Sequence, residues 1–169
     1  MSSFAEEVDQ FDNIWVASTN GDINKVSEFL ANGIHVNAQD EYGFSPIHAA
    51  ASYGHVALIE YLISQGADVN LRDVDGDTAL LICEDQATFE MLERHGADIH
   101  ATNAEGEGLA EKAVGLAEEE NEAMVTFLFN RGFIPVDFRV QNQEEGEEPY
   151  YDVDDQDQEE GGNKQMSSN

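Results

Sequence analysis

The sequence predicts an all-α solenoid of helix–turn–helix repeats that are joined by short turns of β-turn or hairpin-like geometry. One segment of 33 residues, 40–72, is the clearest copy of the repeat. Its glycine, valine and asparagine landmarks also occur 33 residues earlier, which pairs Gly33, Val36 and Asn37 with Gly66, Val69 and Asn70. Apolar residues at helical spacing separate these landmarks, and self-similarity of this kind is the signature of a repeat architecture.

The clearest copy contains the start and stop signals of two helices. Ser45 and Pro46 supply an N-cap and a proline at the first helical position, so a short helix is predicted up to Ser52. A second helix is predicted over Val56–Ser64, with Gly66 as its C-terminal glycine. Leu58, Ile59, Leu62 and Ile63 would form the apolar face of this second helix.

Two motifs in this copy resemble the ankyrin repeat. The first is Ser45-Pro46-Ile47-His48 with Ala50, which is similar to the family signature T-P-L-H-x-A, and the second is the run from Gly66 to Asn70. The resemblance implies an ankyrin-repeat solenoid in which the ring of His48 hydrogen-bonds to backbone between repeats. Trp15 aligns with His48 one repeat earlier, and we expect it to pack against the second repeat.

The first repeat is predicted over residues 12–39, with its second helix over Ile23–Ala31. Phe4, Val8, Phe11 and Trp15 form one stripe at helical spacing, and Ser3 with Glu6 is a capping-box pair. The stripe predicts one long helix over 4–18, in which residues 1–11 are an N-terminal extension.

The later repeats depart from the consensus. The third repeat, 73–102, lacks three residues where the clearest copy has Ser52–Gly54, so short helices are predicted over Ala79–Glu84 and Gln86–Arg94. The fourth repeat, 103–135, has three residues more, and we expect the acidic run Glu118–Glu122 to form a longer exposed junction. Residues 136–169 are predicted to be an acidic, mostly disordered tail beyond about Gln141, because their composition is poor in apolar residues.

Charge and composition exclude several functional classes. The formal net charge is −29, which argues against nucleic-acid binding and against binding to anionic membranes. Residues 1–10 are acidic and lack the apolar region of a signal peptide, and no apolar run has the length of a membrane span, so a soluble protein of the cytoplasm, the nucleus or both is expected. Cys83 is the only cysteine, and an inert core thiol is favoured over a nucleophile.

Neither a metal site, a cofactor site nor a catalytic group is predicted. Asp73, Asp75, Asp77 and Glu84 have the spacing of a calcium loop, but Thr78 stands where such a loop needs glycine. An acidic turn tip is therefore preferred over a calcium site. Histidines and cysteine form no cluster in the sequence, and no local signature of a catalytic triad is found.

The resemblance implies a binding surface on the turn tips and on the concave side of the first helices. The candidate residues are Thr19, Asn20, Gln39, Glu41, Tyr42, Phe44, Ser52, Tyr53, Arg72, Val74, Asp75, Asp77, Glu105 and Glu107. The aromatic members Tyr42, Phe44 and Tyr53 are of the type that anchors interfaces. Mutual packing of Tyr42 and Phe44 at the turn tip is the alternative.

These observations favour a non-catalytic module that binds a basic protein and that is a monomer when free. The chain is similar in size, charge and acidic tail to small acidic ankyrin proteins that escort basic ribosomal proteins, so the resemblance implies an escort or chaperone role. An adaptor or scaffold subunit of a larger complex is the alternative. A metal-dependent enzyme is the remote alternative from another functional class.

Overall fold

The computed structural model describes residues 13–118 and 121–134, and these residues form eight helices. In chain order the helices are α1 Ile14–Thr19, α2 Ile23–Ala31, α3 Pro46–Ser52, α4 Val56–Ser64, α5 Ala79–Ile82, α6 Gln86–Arg94, α7 Leu109–Glu118 and α8 Glu122–Asn130. The part of the chain described contains one isolated β-bridge, between Arg72 and Thr78 at a turn. The predicted all-α repeat architecture is confirmed.

The helices pack as consecutive antiparallel pairs. The first helices of the first three repeats contact one another, so that α3 lies between α1 and α5, while α4 packs on α6 and α7 on α8. Leu58, Ile59 and Leu62 of α4 are at most 1% exposed, as their predicted place on an apolar face requires. Because each repeat buries its apolar face against its neighbours, the core is continuous along the array.

The first helix is shorter than predicted. Asn13 has an extended backbone with φ −140° and ψ 167°, and its side chain accepts a hydrogen bond from the backbone N–H of Val16. These features make Asn13 an N-cap, so α1 begins at Ile14 and a single helix over 4–18 is wrong. The stripe residues Phe4, Val8 and Phe11 lie outside the described residues.

The helices of the two irregular repeats differ partly from the prediction. In the third repeat α6 has the predicted bounds, but α5 ends at Ile82 because Cys83 has an extended backbone with ψ 143°. In the fourth repeat the three additional residues lengthen the first helix, since α7 runs to Glu118 and Asn121 already caps α8. The prediction of an exposed junction over Glu118–Glu122 is therefore wrong at its two end residues, because Glu118 belongs to α7 and Glu122 to α8. The repeat boundaries stay predictions, as does the acidic tail, which lies outside the described residues.

Candidate protein-interaction surface

The turn tips of the second, third and fourth repeats stand in a row that is joined by backbone hydrogen bonds. The N–H of Val74 donates to the carbonyl of Tyr42 at 3.0 Å, and the N–H of Ala104 donates to the carbonyl of Asp75 at 2.8 Å. A Cβ on Gly43, whose φ is 73°, would lie 2.8 Å from the nitrogen of Val74. Only glycine permits this approach, and the tips therefore form one continuous edge.

Two of the candidate residues brace this edge. The amide nitrogen Nε2 of Gln39 donates to the carbonyl of Gly43 at 2.6 Å and to that of Arg72 at 2.8 Å. One repeat later, Nη1 of Arg72 donates to the carbonyls of Gly76 at 2.7 Å and of Thr102 at 2.5 Å. Both side chains thus tie one turn to the next, a role that the sequence did not indicate.

Three apolar side chains are exposed among the candidate residues. Tyr42 and Val74 are 65% and 62% exposed at adjacent tips, and Tyr53 is 63% exposed at the other end of α3. The ring of Tyr53 stacks on that of His55, with 6.4 Å between the ring centroids. The half-buried ring of Phe44 stacks on the ring of His48, with 5.4 Å between the ring centroids. Packing of Phe44 against Tyr42, the alternative, is therefore not needed to account for the partial burial of Phe44.

The remaining candidates are mostly acidic or hydroxyl-bearing. Glu41, Asp75 and Glu105 are exposed, whereas Oε2 of Glu107 accepts from Asn103 at 3.0 Å and Oδ2 of Asp77 pairs with Nζ of Lys112 at 3.2 Å. The hydroxyl of Ser52 donates to the carbonyl of His48 at 3.1 Å. At the first repeat Asn20 is exposed, and the carbonyl of Thr19 accepts from Nε2 of His55 at 2.7 Å. The surface therefore combines exposed apolar groups with carboxylates.

Below this surface, a half-buried side-chain hydrogen bond from one shared repeat position joins each of the first two repeats to the next. Nε1 of Trp15 donates to the carbonyl of Phe44 at 2.8 Å, and Nε2 of His48 lies 3.2 Å from the carbonyl of Asp77. The other ring nitrogen of His48 accepts from the N–H of Ser45 at 3.2 Å and lies 2.7 Å from its hydroxyl. Because a carbonyl only accepts, Nε2 carries the proton of a neutral ring. Burial lowers the pKa of His48, against the opposing effect of its bond to Asp77.

The third repeat lacks this link. Leu81 occupies the position of His48, and the hydroxyl of Thr78, which aligns with Ser45, is buried without a hydrogen-bond partner. Besides the pair of Lys112 with Asp77 and the backbone bond from Ala104 to Asp75, further polar contacts join the third repeat to the fourth. Nη2 of Arg131 pairs with Oε1 of Glu93 at 2.6 Å, and Nδ2 of Asn121 donates to the carbonyl of Glu84 at 2.8 Å.

The described residues provide little for catalysis. Within residues 13–118 and 121–134, no group of three or more His, Cys, Asp or Glu side chains is arranged to hold a metal ion. Cys83 is 3% exposed, and burial raises the pKa of its thiol to about 12. At neutral pH this thiol is therefore protonated and is a poor nucleophile. No helix in the described part of the chain has the length and apolarity to cross a membrane.

The comparisons with known proteins agree with this geometry. A family model described as "Ankyrin repeats (3 copies)" matches residues 14–103. The ankyrin repeat-containing protein P1E11.10 of Schizosaccharomyces pombe is 42% identical over 95 residues, which cover 56% of this chain and 46% of that protein. The B-cell lymphoma 3 protein homolog of Mus musculus is 33% identical over 76 residues, which cover 45% of this chain and 17% of that protein.

A third relative is named as an enzyme. The L-asparaginase of Dirofilaria immitis is 38% identical over 65 residues, which cover 38% of this chain and 11% of that protein. A match to so small a part of the relative transfers no activity. The chain spans less than half the length of each of these three relatives.

Proposed function

Since the chain belongs to the ankyrin-repeat family, we propose that it is a non-catalytic module that binds a strongly basic protein segment along its turn tips and first helices. Ankyrin repeats are protein-interaction modules, and the family is generally non-catalytic. The basic nature of the partner goes beyond what family membership implies and is argued from the surface of this chain.

One observation carries this proposal, namely that exposed apolar groups on the turn tips lie among carboxylates. Tyr42 and Val74 project from adjacent tips, and each has an exposed acidic neighbour in sequence, Glu41 or Asp75. Aromatic anchors in the centre of an interface give much of its binding energy, and complementary charges around them speed association. A cationic segment with an apolar centre matches both properties.

The charge of the repeat domain supports the same partner. Residues 1–135 contain 25 acidic residues and five basic ones, so their formal charge is −20 without the tail. Like charges at this density raise the free energy of the folded state, and a cationic ligand relieves the repulsion. Together with the acidic tail, this charge favours an escort of a ribosomal or other basic protein, in the cytoplasm or nucleus, that is a monomer when free.

A second candidate function is that of an adaptor within a larger assembly. A relative from Carollia perspicillata, 38% identical over 77 residues, is named "Ankyrin repeat, SAM and basic leucine zipper domain-containing protein 1", and the matched residues cover 45% of this chain and 16% of that protein. In that protein the repeats are one part of a chain with several domains. An adaptor would hold its partner irrespective of the partner's charge.

The proposal is tested by purifying the partners of the full chain from cell extract and measuring their binding by surface plasmon resonance from 50 mM to 500 mM salt. We expect a basic partner whose association rate falls steeply with salt, since screening weakens exposed charge contacts. Substituting Tyr42 and Tyr53 together by Ala should raise the dissociation rate. Ile34→Ala is the control, because Ile34 is also exposed but lies in the loop after α2.

Two results would contradict the proposal. A neutral or acidic partner that binds equally well at 50 mM and 500 mM salt would favour the adaptor. A basic partner that is indifferent to the double tyrosine substitution would show that the turn tips and α3 are not the binding site.

A further inference from the structure

The shortened helix α5 leaves an open cleft between its neighbours in the array. The helix has four residues, against seven in α3 and ten in α7. The cleft at its end has a volume of about 380 Å³ and is lined by Ser52 of α3, by Leu81, Cys83 and Glu84 around the end of α5, and by Lys112, Gly115 and Leu116 of α7. We call this the α5 cleft.

The α5 cleft has a lining of mixed polarity that combines apolar side chains with Glu84 and Lys112. Leu81, Cys83 and Leu116 supply apolar surface from residues that are at most 8% exposed. Glu84 is exposed at the rim, and the hydrogen bond from Asn121 to its carbonyl holds the backbone there. The ammonium group of Lys112 is already paired with Asp77 at 3.2 Å. Among the described residues that line the cleft, Glu84 is therefore the charged one that has no ion pair.

We propose that the α5 cleft receives one apolar side chain from a basic protein segment, whose flanking lysine or arginine meets Glu84. This inference rests on the proposed function and names the feature that selects one basic segment over another. Negative charge alone attracts any cationic chain. A cleft of defined size distinguishes one basic segment from another, because only a segment with a suitable apolar side chain can bury it there.

Gly115 gives a way to fill the cleft without damaging the fold. It lines the cleft from within α7, and a Cβ added there would meet no atom within 4 Å. Alanine and leucine are both better than glycine inside a helix. Gly115→Leu should therefore occupy the cleft in a folded protein, and Gly115→Ala is the matched control that leaves most of the volume open.

The experiment compares two synthetic peptides on the full-length protein by fluorescence anisotropy at 50 mM salt. One is Lys-Arg-Lys-Leu-Lys-Arg-Lys, and the other has glycine in place of the central leucine. For the natural protein and for Gly115→Ala we expect the leucine peptide to bind about tenfold more tightly, because its side chain is buried. For Gly115→Leu we expect both peptides to bind as the glycine peptide does. Glu84→Gln should weaken both.

Nitrogen-15 correlation spectra locate the binding, and the leucine peptide should shift the amides of Leu81, Cys83 and Leu116 in the natural protein. Equal affinity of the natural protein for the two peptides would overturn the cleft proposal while leaving binding of basic segments intact. A leucine preference that survives in Gly115→Leu, with a normal melting temperature, would also overturn it. If neither peptide binds at 50 mM salt, the proposed basic partner fails together with the cleft.

Discussion

Three residues at equivalent positions show how one side chain determines the coupling between repeats. Trp15 and His48 each donate to a carbonyl 29 residues further along the chain, on Phe44 and Asp77. Leu81, the third in the series, has no group to donate. The indole and the imidazole differ in shape, but both present one N–H at the distance that the next repeat requires. The family signature is therefore replaceable where the donor is kept.

We expect His48→Leu to lower the free energy of unfolding by about 1–3 kcal/mol, because it leaves the buried groups of Ser45 and the carbonyl of Asp77 without their hydrogen bonds. Chemical denaturation followed by circular dichroism measures the change. His100→Leu is the control, since His100 is exposed. Equal stability of the two variants would show that the ring of His48 contributes only packing.

The same ring should resist protonation. Burial lowers the pKa of His48 below its ordinary value of 6.5, so the unfolded chain binds a proton before the folded protein does. Stability from this group is therefore present above about pH 6.5 and is lost as the pH falls toward the folded pKa. In an NMR titration from pH 8 to pH 5 we expect the ring carbon signal of His48, assigned with His48→Leu, to move only below pH 6.5. A midpoint at or above 6.5 would contradict this.

Among the elements, α5 is the one that deviates most from the repeat. Its last amides, those of Leu81 and Ile82, both donate to the carbonyl of Thr78, at 3.0 Å and 3.3 Å. A helix of one turn has few internal hydrogen bonds to protect its amides. The missing link at Leu81 also removes one connection to the fourth repeat.

In native-state hydrogen exchange we therefore expect the amides of Ala79–Ile82 to exchange faster than the buried amides of α3, Ala49–Ala51. Both segments are the first helices of their repeats, and both are buried except for the half-buried Ile82, so the comparison isolates the length and coupling of the helix. Equal or greater protection of α5 would mean that the fourth repeat holds this helix as firmly as the third holds α3.

The elements that the sequence predicts well are those whose caps and apolar faces agree. The bounds of α2, α4 and α6 follow from local signals such as the N-caps Asp22 and Asp85. The start of α1 differs from the prediction because the apolar stripe runs on both sides of Asn13. The spacing of apolar residues therefore does not show that Asn13 is an N-cap at which the helix begins. The bracing roles of Gln39 and Arg72 could not be predicted, because they depend on carbonyls that only the stacking of repeats brings near.

At the scale of the whole molecule, net charge is the main destabilising feature. With a formal charge of −29, the folded chain keeps its carboxylates closer together than the unfolded chain does. We expect the melting temperature to rise between 10 mM and 300 mM sodium chloride, because ions shorten the range of this repulsion from about 30 Å to under 8 Å. Choline chloride is the control, since a screening effect is the same for both cations. A rise with sodium alone would indicate a specific cation site.

Four of the side-chain hydrogen bonds between repeats run from an earlier donor to a later carbonyl, which matters while the protein is being synthesised. Gln39 donates to a carbonyl 33 residues later in the chain, and Arg72 donates to one 30 residues later. Trp15 and His48 each donate to a carbonyl 29 residues later. A nascent chain leaves the ribosome with its amino end first. Each of these four donors therefore emerges unpaired, and translation of the following repeat supplies its acceptor. These hydrogen bonds therefore form in the order of translation, and those of each repeat form only after the next repeat has been synthesised.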